Sequence, residues 1–242
     1  MNRALVVAAS GMAAQQMHLD VVADNLANAD VAGFKQAAAA FADVRVAGGA
    51  GLGVVPSGTH PVFEQGKLEK SGGPFDVAID GAGFFVVTNG TRTAYTRNGE
   101  FHRAPSGALE TSDGWRVPGV RIPSDALRVD VAPDGRVRCE RAKGASSDCG
   151  RIVLSAFAAP EALEPLGNAR FAATKRSGAP LRILPGGEHG PKIAFGMLER
   201  SNVSIIGSMM EILTAQRAYE ANAKGVQAAD EMQRIANNLH RT

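Results

Sequence analysis

Each end of this chain carries a long helix-forming stretch with an apolar seam, and the middle carries none of comparable length. Leu5, Met12, Leu19 and Leu26 recur at intervals of seven, and Ile205, Met209, Ile212, Tyr219 and Val226 follow steps of three, four or seven. On a helix, a seven-residue repeat makes a narrow stripe that is buried only against another helix. The spacing predicts one helix from Arg3 to Asn28 and another from Val203 to Leu239, each the nearest partner of the other. The second would be about 55 Å long. A small domain cannot cover all of it, so part must find a further partner. Ser201 and Asn202 carry side-chain oxygens suited to capping its first turn. Asn25 and Asn28 flank Leu26 and read either as polar register-setters in the helix-packing layer or as residues that end the helix.

After the first helix, Asp30, Ala32 and Gly33 supply a break. Ala37 to Ala40 have helical propensity but little to bury, and Gly48-Gly49-Ala50-Gly51-Leu52-Gly53 reads as a flexible loop. From Val62 to about Phe195 short apolar runs such as Val77-Ala78-Ile79 and Phe84-Phe85-Val86-Val87 alternate with turn signals. Those signals are Asp80-Gly81-Ala82-Gly83, Asn89-Gly90, Arg97-Asn98-Gly99, Pro105-Ser106-Gly107 and Pro133-Asp134-Gly135. Their spacing predicts short antiparallel strands in a sandwich-like or barrel-like arrangement. The expected class is α+β. Residues 1–35 and 200–242 would form a helical coiled-coil assembly domain, 36–64 a connecting segment, and 65–199 a central β-rich domain.

No catalytic constellation emerges. Gly49 to Gly53 lacks the spacing of a dinucleotide loop and is followed by Pro56, and Gly66-Lys67 is followed by Leu68 where a phosphate loop needs Ser or Thr. The five histidines, His18, His60, His102, His189 and His240, share no metal-ligand spacing. No enzyme activity, cofactor or metal is therefore expected. A net charge of +2 leaves no surface dense enough to track phosphates. The richest stretch, Arg136, Arg138, Arg141 and Lys143, reads as a solvated hairpin face. No apolar run is long enough to span a bilayer. The apolar start continues as an amphipathic helix past Gln15 and Gln16, so no cleaved signal peptide is expected. Cys139 and Cys149 lie ten apart, and their spacing leaves open both a disulfide and two unrelated thiols.

Three ordered groups of residues bear on family. The first is Asn25-Leu26-Ala27-Asn28 with Gly33-Phe34-Lys35. The second is Asp76-Val77-Ala78-Ile79, Gly81-Ala82-Gly83-Phe84-Phe85 and Tyr95-Thr96-Arg97-Asn98-Gly99. The third is Glu199-Arg200-Ser201-Asn202-Val203 with Gln216-Arg217-Ala218-Tyr219-Glu220. Nearly end to end, this resembles the bacterial flagellar rod and hook family, and most closely its basal-body rod proteins. Within the family the distal rod pattern is the nearest, the proximal one its close relative. The chain departs from the distal pattern after Phe41, where its connecting segment is shorter. The resemblance implies a structural subunit exported through the flagellar type III pathway and placed in the periplasmic rod of the basal body. It implies a helical homopolymer that transmits torque, in contact with other rod and hook proteins and with the rings around the rod, and with no nucleic acid. The assembly interface would comprise Leu5, Met12, Leu19, Asn25, Leu26, Asn28, Ile205, Met209, Ile212, Tyr219 and Val226. The alternatives are a proximal rod or hook-type subunit, and a soluble module whose end helices bind another helical partner.

Overall fold

The computed structural model describes residues 3–45, 51–141, 146–187 and 190–239, with side chains described from Leu5 to Ile235 within those spans. Gly48 to Ala50, Lys143, His189 and His240, all named above, lie outside the described residues. The chain divides into two units. One comprises Met1–Ala27, Ala37–His60 and Val203–Thr242, and the other Asn28–Gln36 and Pro61–Asn202.

The first unit contains helix α1 (Arg3–Ala27), strands β1 (Ala37–Arg45) and β2 (Gly51–Pro61), and helix α2 (Ile205–Leu239). The helices pack on each other in antiparallel fashion. Gly11 of α1 lies against Asn222 of α2, and further along α1 His18 shares a groove with Met210, Glu211 and Thr214. Their contact is built from small residues. A methyl group on Gly11 would sit only 3.0 Å from the Asn222 amide nitrogen, so that side chain would have to give by a few tenths of an ångström. Ala14, Val22 and Asn25 are the buried positions of α1, while Ser208, Ala215 and Ala229 are those of α2. With half-buried Asn222, the α2 positions recur every seven residues. Leu5, Met12, Leu19, Leu26, Ile212 and Val226 are half-buried, while Ile205, Met209 and Tyr219 are exposed.

The sequence 37–40 forms strand rather than helix, because tertiary partners override its propensity. The Asn25 side-chain amide donates to the Ala37 carbonyl (2.8 Å) and its oxygen accepts from the Ala37 N–H (2.7 Å). Asn25 is thus engaged with the start of β1 instead of the facing helix. Gly51 to Gly53 belong to β2, where Ser10 of α1 accepts a hydrogen bond from the Val54 N–H at 3.1 Å. α2 is capped by Ser204, whose hydroxyl accepts from the Gly207 N–H, and not by Asn202, which has other partners described below.

The second unit is a β-domain. Its strands are β3 (Leu68–Lys70), β4 (Val77–Asp80), β5 (Phe84–Thr88), β6 (Thr93–Thr96), β7 (His102–Arg103), β8 (Ala108–Glu110), β9 (Arg116–Arg121) and β10 (Ala126–Val131). They continue with β11 (Arg136–Arg141), β12 (Ser146–Arg151), β13 (Leu154–Ala156), β14 (Glu164–Gly167), β15 (Arg170–Ala172), β16 (Leu181–Ile183), β17 (Lys192–Phe195) and β18 (Met197–Glu199). Twelve of these form one sheet along the path β10-β11-β12-β9-β5-β6-β15-β14, with β7, β8, β13 and β16 attached to it. β4 pairs with β17 and β3 with β18 in two separate ladders. Asn89-Gly90 closes the β5–β6 hairpin and Pro133-Asp134-Gly135 the β10–β11 hairpin. Asp80 to Gly83, by contrast, joins strands of different sheets.

β5 organises the core, because alternate side chains of a strand point to opposite faces. Phe85 and Val87 enter a large cluster with Ile79, Leu109, Ile122, Ile152, Leu154 and Ile193. Phe84 enters a second cluster with Tyr95, Phe157, Leu163 and Phe171, against which Phe63 packs edge-on. Cys139 of β11 and Cys149 of β12 are joined as a disulfide within the large cluster.

Two outcomes test this packing. Asn25→Ala strips both bonds from the Ala37 backbone and should destabilise the first unit by about 1–3 kcal/mol. Faster exchange of the Ala37 amide hydrogen would register it. Replacing both cysteines by serine should cost about 2–3 kcal/mol in the chain-entropy view of a ten-residue loop. Thermal unfolding measures that loss, and a thiol probe that labels the wild-type chain without reductant would contradict the bond.

Candidate functional site

Within the β-domain unit, three segments distant in sequence converge on one buried carboxylate, that of Glu199 at the end of β18. Its Oε1 accepts from the Lys35 ammonium at 2.5 Å and from the Gly66 N–H at 2.9 Å. Its Oε2 accepts from the Arg97 guanidinium at 3.1 Å. Lys35 also donates to the Glu64 carbonyl (2.6 Å), and Arg97 to the Gly81 carbonyl (2.8 Å). The side chains of Lys35 and Glu199 have no exposed surface, and that of Arg97 has 5%. Arg97 lies over the Phe84 ring, which ties the ionic cluster to the aromatic core. Its Nε is buried without an acceptor.

Local backbone chemistry makes this convergence possible. Gly33 adopts φ +66°, and its N–H donates to the Glu199 carbonyl at 2.7 Å. A side chain there would be strained and would overlap the backbone of Arg97 and Asn98. Around this centre, the Asn202 amide donates to the Val62 carbonyl (2.9 Å) and its oxygen accepts from the Gln36 N–H (2.8 Å). The Val62 N–H in turn donates to the Gln36 carbonyl. Gln36, Val62 and Asn202 lie at or next to three points where the chain leaves or enters this unit, so one hydrogen-bonded collar fixes three crossings together.

Electrostatically, the cluster holds two cations against one anion. Burial pushes the Lys35 ammonium below the ordinary lysine range, against the pull of Glu199. Burial likewise lowers Arg97, again opposed by Glu199. Buried charges of this kind are stable only when paired and hydrogen-bonded. The arrangement is suited to holding segments in place.

The candidate interface residues lie elsewhere. Apart from Asn28, they belong to the helical unit, where the structure describes large apolar side chains on the outer faces of α2. Ile206, Met210 and Leu213 are exposed beside Ile205 and Met209. Lys35, Arg97 and Glu199 were visible in the sequence only as members of separate motifs. The available signal was the pairing of a charged residue with a nearby glycine in each, as in Gly33/Lys35 and Arg97/Gly99.

Three family models match the chain in order. The model described as flagella basal body rod protein covers residues 5–35, that for the flagellar hook protein FlgE/F/G D1 domain covers 78–139, and that for the flagellar basal body rod FlgEFG protein C-terminal covers 195–239. The flagellar basal-body rod protein FlgG of Agrobacterium fabrum is 37% identical, over 97% of this chain and 98% of that protein. The protein of the same name in Borreliella burgdorferi is 37% identical over the whole of both chains. This chain belongs to the flagellar basal-body rod protein family. A FlgF-named rod protein of Caulobacter vibrioides is also similar, at 33% identity over 98% of this chain and 97% of that protein. Each member of the ionic cluster falls in a different family segment: Lys35 in the first, Arg97 in the second, Glu199 in the third.

Glu199→Gln keeps the shape but leaves two buried cations facing a neutral amide. It should destabilise the β-domain by about 3–5 kcal/mol. Denaturant unfolding followed through the single tryptophan, Trp115, which packs on the core, reads this directly. In a double-mutant cycle with Lys35→Met, the combined loss should be smaller than the sum of the two single losses.

Proposed function

We propose that this chain is a structural subunit of the flagellar basal-body rod, of the distal type, which polymerises helically through its terminal helices and carries torque from motor to hook. The observation that carries the reading is the inverted distribution of side chains on the helix pair. Small residues predominate at its buried positions, and Ile205, Ile206, Met209, Met210 and Leu213 are left on the outside. Contiguous exposed apolar surface of this kind is suited to protein association. A contact between unlike faces that does not close on itself builds an open filament. Leu5, Met12, Leu19, Leu26, Ile212, Tyr219 and Val226 would join those residues in a coiled-coil layer shared between copies.

Family membership supports the structural role and a place in the basal body among other rod components. Among the described residues no helix is long and apolar enough to cross a membrane. Export through the flagellum's own pathway and contact with the surrounding rings belong to the same proposal. The proximal rod is the second reading, supported by the FlgF-named relative, whose identity lies within four points of the FlgG-named ones. A strain lacking the gene separates the two by whether its hook-basal body stops before or after the proximal rod.

Leu26→Asp places a charge on the proposed layer. Secreted protein should keep a folded β-domain, with Trp115 emission unchanged, and should fail to complete rods or restore swimming. Normal motility of this variant would remove the helical layer from the mechanism.

A further inference from the structure

The disulfide between Cys139 and Cys149 depends on an irregularity of the sheet. β11 and β12 pair in antiparallel fashion with Cys139 opposite Ser147 and Arg138 opposite Asp148, but with Val137 opposite Gly150. Cys149 is therefore the extra residue of a β-bulge, two places along from the residue that faces Cys139. In a regular sheet such diagonal neighbours lie about 7–8 Å apart. A disulfide reaches about 6.8 Å between Cα atoms at most. The bulge bends β12, and the two Cα atoms lie 6.1 Å apart. Gly150 allows the bend, with φ +111° and the Gly119 carbonyl oxygen where a side chain would begin. Gly150 also forms the ladder pair with Val120 that joins β12 to β9.

In the closed β-domain neither sulfur is open to a reagent. Cys139 is 0% exposed and Cys149 6%, and both belong to the large core cluster. Exchange with an outside disulfide needs access, so oxidation belongs to the chain before β11 and β12 have closed. At that stage the charges beside the two thiols differ. Cys139 has Arg136, Arg138 and Arg141 close by against Glu140 alone, whereas Cys149 has Asp148 beside it and Arg151 two places on. Neighbouring cations favour the thiolate, which is the attacking species.

We infer that Cys139 and Cys149 form a directed oxidation site, in which Cys139 attacks and Cys149 resolves, and whose partner is a disulfide-bearing oxidant that meets the still-open chain. The Cys139 thiolate attacks one sulfur of the oxidant's disulfide, forming a mixed disulfide and releasing the other sulfur as a thiolate. The Cys149 thiolate then attacks Cys139 Sγ and displaces the oxidant's remaining sulfur. Two electrons pass from the chain to the oxidant, which ends as a dithiol carrying the two protons that the chain gives up. This goes beyond the rod reading and stands apart from it, since it needs only a compartment in which such an oxidant acts.

The test uses the full-length chain in urea, an uncharged denaturant, so that folding of the single variants does not enter. Reduced Cys149→Ser and reduced Cys139→Ser are each mixed with 2-hydroxyethyl disulfide, a neutral probe, and mass spectrometry follows the mixed disulfide. Cys149→Ser, which keeps Cys139, should react about twofold or more faster. Salt at about 1 M, where the screening length is about 3 Å, should erase the difference. Equal rates at low salt, or faster reaction at Cys149, overturn the order. Separately, reduced wild type is returned to native buffer, with Trp115 emission as the folding readout. Chain that has regained native emission should lose thiols to the probe at least about tenfold more slowly than chain in urea. Chain that regains it only once the probe is added supports oxidation before closure. Refolded, reduced chain that oxidises as fast as chain in urea overturns the need for an open chain.

Discussion

The carboxylate of Glu199 is the constraint on which the β-domain depends. It is buried, it faces two cations from distant parts of the chain, and its backbone carbonyl accepts from Gly33. A lone buried carboxylate would be prohibitively costly, and so would either cation alone. The three residues therefore come together or not at all, which joins the segment after α1, the turn after β6 and the segment before α2 in one place. Arg97 stacked over Phe84 carries that constraint into the aromatic core, and the Gln36–Val62–Asn202 collar carries it to the chain crossings. Buried charges that are paired and hydrogen-bonded hold the segments that carry them in one arrangement.

The helical unit follows a different logic. The buried positions of its two helices are mostly small, Ala14, Ser208, Ala215 and Ala229, with Val22 and Asn25 the larger ones. The large side chains of α2 are left facing outward. Such a pair gains little from being alone and more from being covered, which suits a subunit whose final state is an assembly. Asn25 and Ser10 use polar bonds to seat β1 and β2 against α1, and those strands in turn form walls of the groove. The connecting segment thus contributes surface as well as length.

Much of the fold was legible because it is local. Seven-residue spacing marks both helices, and Asn89-Gly90 or Pro133-Asp134-Gly135 need only their own backbone preferences to turn. The pairing of β4 with β17, Ile79 opposite Ile193, was not legible, since nothing in either strand names a partner more than a hundred residues away. Ala37 to Ala40 misled for a related reason. Their helical propensity is worth a few tenths of a kcal/mol each, less than the two bonds Asn25 makes to Ala37.

By itself, then, the sequence determined that two helices flank a turn-rich β middle, that no metal or nucleotide motif is spelled out, and that the ordered motifs of a flagellar rod family are present. Only the tertiary structure decided which stripe faces inward. Both the Ile205–Ile212–Tyr219–Val226 row and the Ser208–Ala215–Asn222–Ala229 row repeat every seven residues, so periodicity cannot choose between them. The fold turns the second row inward: Ser208, Ala215 and Ala229 are buried, while Ile205 and Tyr219 are exposed. Likewise, Asn202 and Ser204 can each cap a helix, and Ser204, directly before Ile205, takes the role while the Asn202 side chain is held by Val62 and Gln36. Local chemistry sets what each residue can do, and the competing partners brought near by the fold decide which of those things it does.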